Sequence, residues 1–235
     1  MNWSAFDEIT DLCHKEKSYE LAFTMAKVRF IFNNQTVRDA DKLLSQSYCY
    51  KPQEAYDDIL KLLNTNLHGP LVPYCLGKLC KELWYLENAL MWFDQAKRAD
   101  FEQSTIEATC SLEIADCLVW SDKDLKRALE LLNFTSPSTD ELSSRKHLTL
   151  AHAYLKLGDM KNATETLKEK VIDTHVPEQT FLQGLLALRN GKEQKAKDLW
   201  NTIFAITSAD TKLHKVKEQI ARAYPKIGLE NKHVS

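Results

Sequence analysis

The feature that most restricts how this chain can fold is a template of small and large residues that returns every 33 to 39 positions. Its clearest copy is Leu150–Leu167, LAHAYLKLGDMKNATETL. Leu150, Ala151 and Tyr154 fall on one face of a helix, and Ala163 with Leu167 makes an i, i+4 pair on the next. Between them Gly158 can take the positive φ that ends a helix, and Asp159 offers a carboxylate to the first turn of the following one. Two short helices meeting at Lys156–Asp159 form a hairpin with too little apolar surface to be stable alone, so recurrence of the hairpin decides the fold.

It recurs as Leu76, Gly77, Cys80, Ala89, Phe93 and Ala96, and again as Gly184, Ala187, Gly191, Ala196, Trp200 and Ile203. With the clearest copy, these define units starting at Pro70, Ser144 and Pro177. Looser copies start near Trp3 (Phe6, Ile9, Cys13, Ala22, Ala26), Thr36 (Ala55, Ile59, Leu62) and Thr109 (Leu112, Ala115, Val119, Ala128, Leu132). Successive starts are 33, 34, 39, 35 and 33 residues apart, the period of a helix–turn–helix array. The expected organisation is one all-α solenoid domain over residues 3–224. Helix 208–224, with Leu213, Val216, Ile220 and Ala223 on one face, covers its open end, and 225–235 is a tail. Thr36 is placed to cap a helix over Val37–Tyr48, and Pro52 to open the next. The stretches 64–73 and 134–142 are the breaks between units. Trp84 and Trp92 read as packing residues.

Composition agrees with that reading. With 44% apolar and 27% charged residues and only six Gly and six Pro, an all-β fold is disfavoured. The N-terminal MNWSAFDEITDLCHKEK is acidic where a signal peptide would be basic and apolar, and no apolar run approaches a span of about 20 residues. A soluble cytoplasmic or nuclear protein is therefore expected, with no membrane partner. Cys13, Cys49, Cys75, Cys80, Cys110 and Cys117 lie in apolar helical patterns without a C-x-x-C pair, so they read as small buried hydrophobes, not as a zinc site or disulfide framework. Cys117 is the one whose exposure is worth checking.

The three strong units resemble the tetratricopeptide repeat family in their pattern of small and large positions, and the resemblance extends loosely from Trp3 to Ile203. The second unit departs from it, with Leu43-Leu44 and no Gly, and about five extra residues precede the fourth. The resemblance implies antiparallel helix pairs stacked into a right-handed α-solenoid, with the first helix of each pair lining a concave groove. In that register the groove residues are Leu71, Tyr74, Lys78, Lys81 and Glu82 in the third unit, and Cys110, Glu113, Cys117, Trp120 and Ser121 in the fourth. The fifth contributes Arg145, Leu148, His152, Leu155 and Lys156, and the sixth Glu178, Phe181, Leu185, Leu188 and Arg189. An open groove lined by Tyr74, Trp120, Phe181, Leu185 and Leu188 would mark a binding face. A second reading stays open for the sixth unit: the C-terminal helix folds back onto Phe181, Leu185 and Leu188.

The functional expectation is a non-enzymatic adaptor or scaffold that holds an extended or helical segment of another protein in this groove. Tyr74, Trp120 or Phe181 would anchor an apolar group, and Lys78, Lys81, Arg145 and Arg189 would orient acidic ones. Glu113, Cys117, His152 and Leu185 complete the expected lining. A homodimer through the apolar N-terminal end is a variant of the same idea. The basic and amide clamp with which some members of the family hold a chaperone tail is missing, because Asp7 and Asp11 occupy its first-unit places. No nucleophile elbow, phosphate loop or metal motif is found, and His147 and His152, five apart, face different ways. No catalytic residue, cofactor or metal is expected.

RNA binding is the alternative. Pentatricopeptide repeats share the period and read bases from helix surfaces, but the pI near 6.4 gives no general attraction to phosphate, which makes nucleic acid a less favoured partner. One feature runs the other way: from Leu188 onward there are ten Lys or Arg against five Asp or Glu, a local charge of +5 in a chain of net −2.

Overall fold

The structure is a computed structural model that describes residues 3–32, 36–64, 69–99, 104–206 and 211–223. The expected turn at 33–35, part of the break at 64–73, the ends of the 208–224 helix and the tail 225–235 lie outside the described residues. Among those described, the chain is all-α and no strand occurs. The helices are α1 (Trp3–Lys15), α2 (Tyr19–Phe32), α3 (Val37–Tyr50), α4 (Pro52–Leu60), α5 (Leu71–Glu82), α6 (Leu86–Arg98), α7 (Ser104–Trp120), α8 (Leu125–Phe134), α9 (Asp140–Leu157), α10 (Met160–Thr166), α11 (Val176–Arg189), α12 (Glu193–Phe204) and α13 (Thr211–Ala223). None is long and apolar enough to cross a membrane.

One backbone turn builds five of the hairpins. Lys17, Trp84, Asp122, Gly158 and Gly191, each just beyond the first helix of a pair, have φ between 59° and 79°. One residue later the N–H reaches the carbonyl five positions back: Ser18 donates to Cys13, Tyr85 to Cys80, Lys123 to Leu118, Asp159 to Tyr154 and Lys192 to Ala187. This left-handed cap satisfies carbonyls that the ending helix leaves without partners. Only two of the five positions are glycine, so Lys17, Trp84 and Asp122 adopt the same turn at a cost of about 1 kcal/mol each. Trp84 is itself only half-buried, whereas Trp92 is buried and its Nε1 donates to the Tyr56 hydroxyl at 3.3 Å.

Pairs close through complementary volumes sixteen positions apart. A Cβ added to Gly77 would lie 2.7 Å from the Phe93 ring, and one added to Gly184 would lie 2.1 Å from Trp200 Nε1. The indole is fully buried and donates to the Phe181 carbonyl at 3.2 Å. In the α9/α10 hairpin the corresponding positions hold Ala151 and Leu167, both buried.

The chain divides into two compact units, Met1–Cys117 and Leu118–Ser235. In the first, α2 packs on α1 and α3, and α5 packs on α3, α4 and α6. Thr36 and Asp39 form a reciprocal cap at the start of α3, and Pro52 is the first residue of α4. Pro73 sits within the first turn of α5, where its missing N–H has no helical partner to lose. In the second unit α9 packs on α8, α10 and α11, and α13 packs on α11 and α12 through buried Leu213, Val216 and Ile220.

The cysteines correct one expectation. Cys117 is fully enclosed, and the exposed thiol is Cys49 on α3. Burial pushes the Cys80 thiol up to about 11 and that of Cys110 up to about 12, so both stay protonated and unreactive.

Candidate functional site

In the first unit the expected groove residues are present but mostly occupied with one another. Tyr74 is 7% exposed, and its ring centroid lies 6.2 Å from that of Phe93 across the α5/α6 hairpin. Glu113 is completely buried and accepts hydrogen bonds from Lys78 at 2.9 Å and Lys81 at 2.5 Å. Lys81 also pairs with buried Asp116 at 2.5 Å. A carboxylate enclosed to this degree remains charged only if cations accompany it. The two lysines expected to orient a partner's acids are therefore held by α7. Cys117, with no exposure, cannot touch a ligand.

In the second unit Trp120, His152 and Phe181 come together in the interior. The planes of Trp120 and Phe181 lie 11° apart with centroids separated by 6.1 Å, and the His152 ring stands edge-on to both, 4.8 Å and 6.1 Å away. All three are under 8% exposed. The open apolar lining read from the sequence is corrected accordingly: tertiary packing turns these anchors inward, where stacked and edge-on rings are favourable.

What stays open in this unit is a cleft of about 340 Å³ between α9, α11 and α13. His152 and Phe181 form its floor with Leu155 and half-buried Leu185, and Lys156, Arg189, Gln219 and Arg222 stand around it. α13 packs on α11, and its Gln219 and Arg222 face Phe181 and Leu185 across this cleft. Among the described residues no carboxylate lines the cleft. Lys156 pairs with exposed Asp122 at 3.4 Å, while neither Arg189 nor Arg222 has a carboxylate within 4 Å among the described residues. Two guanidiniums, an ammonium and an amide above an apolar floor suit an anion that carries an apolar or planar group. Arg145, half-buried on α9, does not line it.

A second, more polar cleft of about 390 Å³ lies between α10, α11 and α12, bordered by Lys192, Lys195, Gln183 and Asn190. No cluster of three or more metal-ligating side chains occurs among the described residues. Sequence reasoning passed over Gln219 and Arg222 because α13 reads as a cap. The signal that points to them is the basic surplus after Leu188, together with their place beside the apolar stripe of Leu213, Val216 and Ile220.

No family model matches the chain. It is similar to pentatricopeptide repeat-containing protein 1, mitochondrial, from Rattus norvegicus and from Homo sapiens, 24% identical over 131 residues in each case. The match covers 54% of this chain and 19% of each relative, so the chain spans about a fifth of the length of the curated relatives it matches. The similarity is to a helical-repeat family related to the one that the sequence resembles, and a helical-repeat chain is what the two share. The relatives' names place them in mitochondria, which lends no support to the cytoplasmic or nuclear location expected from the N-terminus.

Proposed function

We propose that the chain is a non-enzymatic helical-repeat binding protein whose ligand is single-stranded RNA, held on the C-terminal unit. The observation that carries this reading is the α9/α11/α13 cleft, where Lys156, Arg189 and Arg222 converge and, among the described residues, no carboxylate joins the lining. The similarity to pentatricopeptide repeat proteins supports it, because such repeats read one base per helical repeat. Lys192 and Lys195 around the second cleft put cations on another face of α11, so a strand crossing that helix would meet positive charge at both.

The test is fluorescence anisotropy with a labelled 15-nucleotide single-stranded RNA. With three phosphates neutralised, raising salt fourfold should weaken binding by about 20-fold. Absence of binding at low salt, or binding indifferent to salt, overturns the reading.

A protein partner is the second reading. The α1/α2 hairpin leaves Leu12 at 61%, Leu21 at 50% and Phe32 at 63% exposure, more apolar surface than a solvated repeat end needs. A Leu12→Asp/Phe32→Asp variant that loses a co-purifying protein, or a self-association seen by light scattering, while RNA binding stays unmeasurable, would favour it.

A further inference from the structure

Resting on the RNA reading, we infer that the α9/α11/α13 cleft seats one nucleotide and that α13 supplies half of its recognition. The cleft divides by chemistry. Half-buried Leu185 presents an apolar shelf over buried Leu155 and Phe181, and among the described residues neither Arg189 from α11 nor Arg222 from α13 has a carboxylate at salt-bridge distance, although Arg222 lies in the field of Glu218 one turn before it. Guanidinium forks match phosphate oxygens in two-point contacts. Gln219, one helical turn before Arg222, brings an amide that both donates and accepts, which is what reading a base edge requires. Lys156 is already balanced by Asp122 and adds field more than contact.

The occupant follows from this combination. A bare inorganic anion has no use for the apolar shelf, and an apolar ligand has no use for two guanidiniums. A nucleoside monophosphate unit uses both. α13 is then a recognition element as well as the cover of the last hairpin. Its two jobs are separable, because Leu213, Val216 and Ile220 make the packing face, whereas Gln219 and Arg222 point into the cleft.

The experiment titrates the full chain with uridine and adenosine 5′-monophosphate by calorimetry, and with the 15-nucleotide RNA by anisotropy. It compares wild type with Arg222→Gln, Gln219→Ala and Arg189→Gln. Circular dichroism and a melting curve establish that each variant keeps its helices. Loss of either guanidinium should weaken mononucleotide and oligomer by about tenfold, and Arg222→Lys should fall between, since it keeps charge but not the fork. Gln219→Ala should change the preference between the two bases more than the mean affinity.

If the oligomer binds wild type and every variant alike, the nucleotide seat is wrong and the RNA reading stands. If the mononucleotides bind and the variants lose them while no oligomer binds, the seat stands as a site for free nucleotide and the RNA reading falls. If neither ligand binds, both fall. Displacement of the mononucleotide by a hexaglutamate peptide at equal concentration would overturn the nucleotide in favour of a carboxylate ligand.

Discussion

Replacing Gly184 by alanine should destabilise the C-terminal unit by about 2 kcal/mol, although alanine is the better helix former. In an exposed helix the exchange would gain about 1 kcal/mol. Here the new methyl lands 2.1 Å from Trp200 Nε1 and 2.6 Å from Cε2, on a rigid bicyclic ring and not on the end of a flexible chain. The indole is fully buried and has no solvent to move into, so the overpacking cost is about 1–3 kcal/mol. Any displacement also stretches the Nε1 hydrogen bond to the Phe181 carbonyl, and a buried donor without its acceptor costs about 1–3 kcal/mol more. Urea denaturation followed by circular dichroism and tryptophan fluorescence reads the difference. A second substitution isolates the cause. Ala151 and Leu167 occupy the same two positions in the α9/α10 hairpin, so Gly184→Ala combined with Trp200→Leu should lose at least about 1 kcal/mol less than the two single losses added. A Gly184→Ala protein as stable as wild type, or strict additivity in the pair, would refute the small-against-large account. Gly158→Ala is the control, since its added Cβ meets nothing within 4 Å and only the φ of +79° opposes it.

Two further outcomes follow from side-chain burial and charge. Under native conditions an aromatic disulfide reagent should modify Cys49 rapidly and the five buried thiols only on unfolding, with Cys49→Ser abolishing the fast phase; fast labelling at Cys117 would contradict the packing of α7. In the first unit, hydrogen bonds from Lys27 and then Lys61 hold the Asp58 carboxyl below its ordinary value of 3.8. At Asp7 burial works against ionisation, but Lys42 and Arg29 outweigh it and leave that carboxyl low as well. Both lie lower folded than unfolded, so the stability they contribute is fully present above about pH 4 and fades as pH falls through the folded values. Melting temperatures measured from about pH 5 down to about pH 2 should drop less steeply for Asp58→Asn than for wild type, and parallel curves would remove Asp58 from the explanation.

The hairpins were legible in the sequence because the signals that make them are local. A small residue one turn before a helix end, a residue able to take positive φ and an alanine five positions later are set by steric limits and hydrogen bonds within about 20 residues. The same logic placed the Thr36 cap and Pro52. The turns at Lys17, Trp84 and Asp122 were harder to read, since none is a glycine and no residue type at them marks a left-handed φ. The candidate site was legible only in part. Its floor residues His152, Phe181 and Leu185 and its cation Arg189 all came from the repeat register, whereas Gln219 and Arg222 did not.

The amino-acid sequence by itself determined that this chain is a run of helical hairpins, where most of them turn, and that positive charge accumulates toward its end. Only the tertiary structure decided which polar and aromatic groups remain available. Glu113 draws Lys78 and Lys81 inward because a buried carboxylate is tolerable only with cations beside it. Trp120 and Phe181 stack inside because large rings gain more from one another and from apolar neighbours than from water. α13 lies beside α11, about thirty residues further along the chain, and so leaves Arg189 and Arg222 around one cleft. Repeat spacing sets which residues share a face, but the balance of burial against charge across helices settles which of them meet solvent.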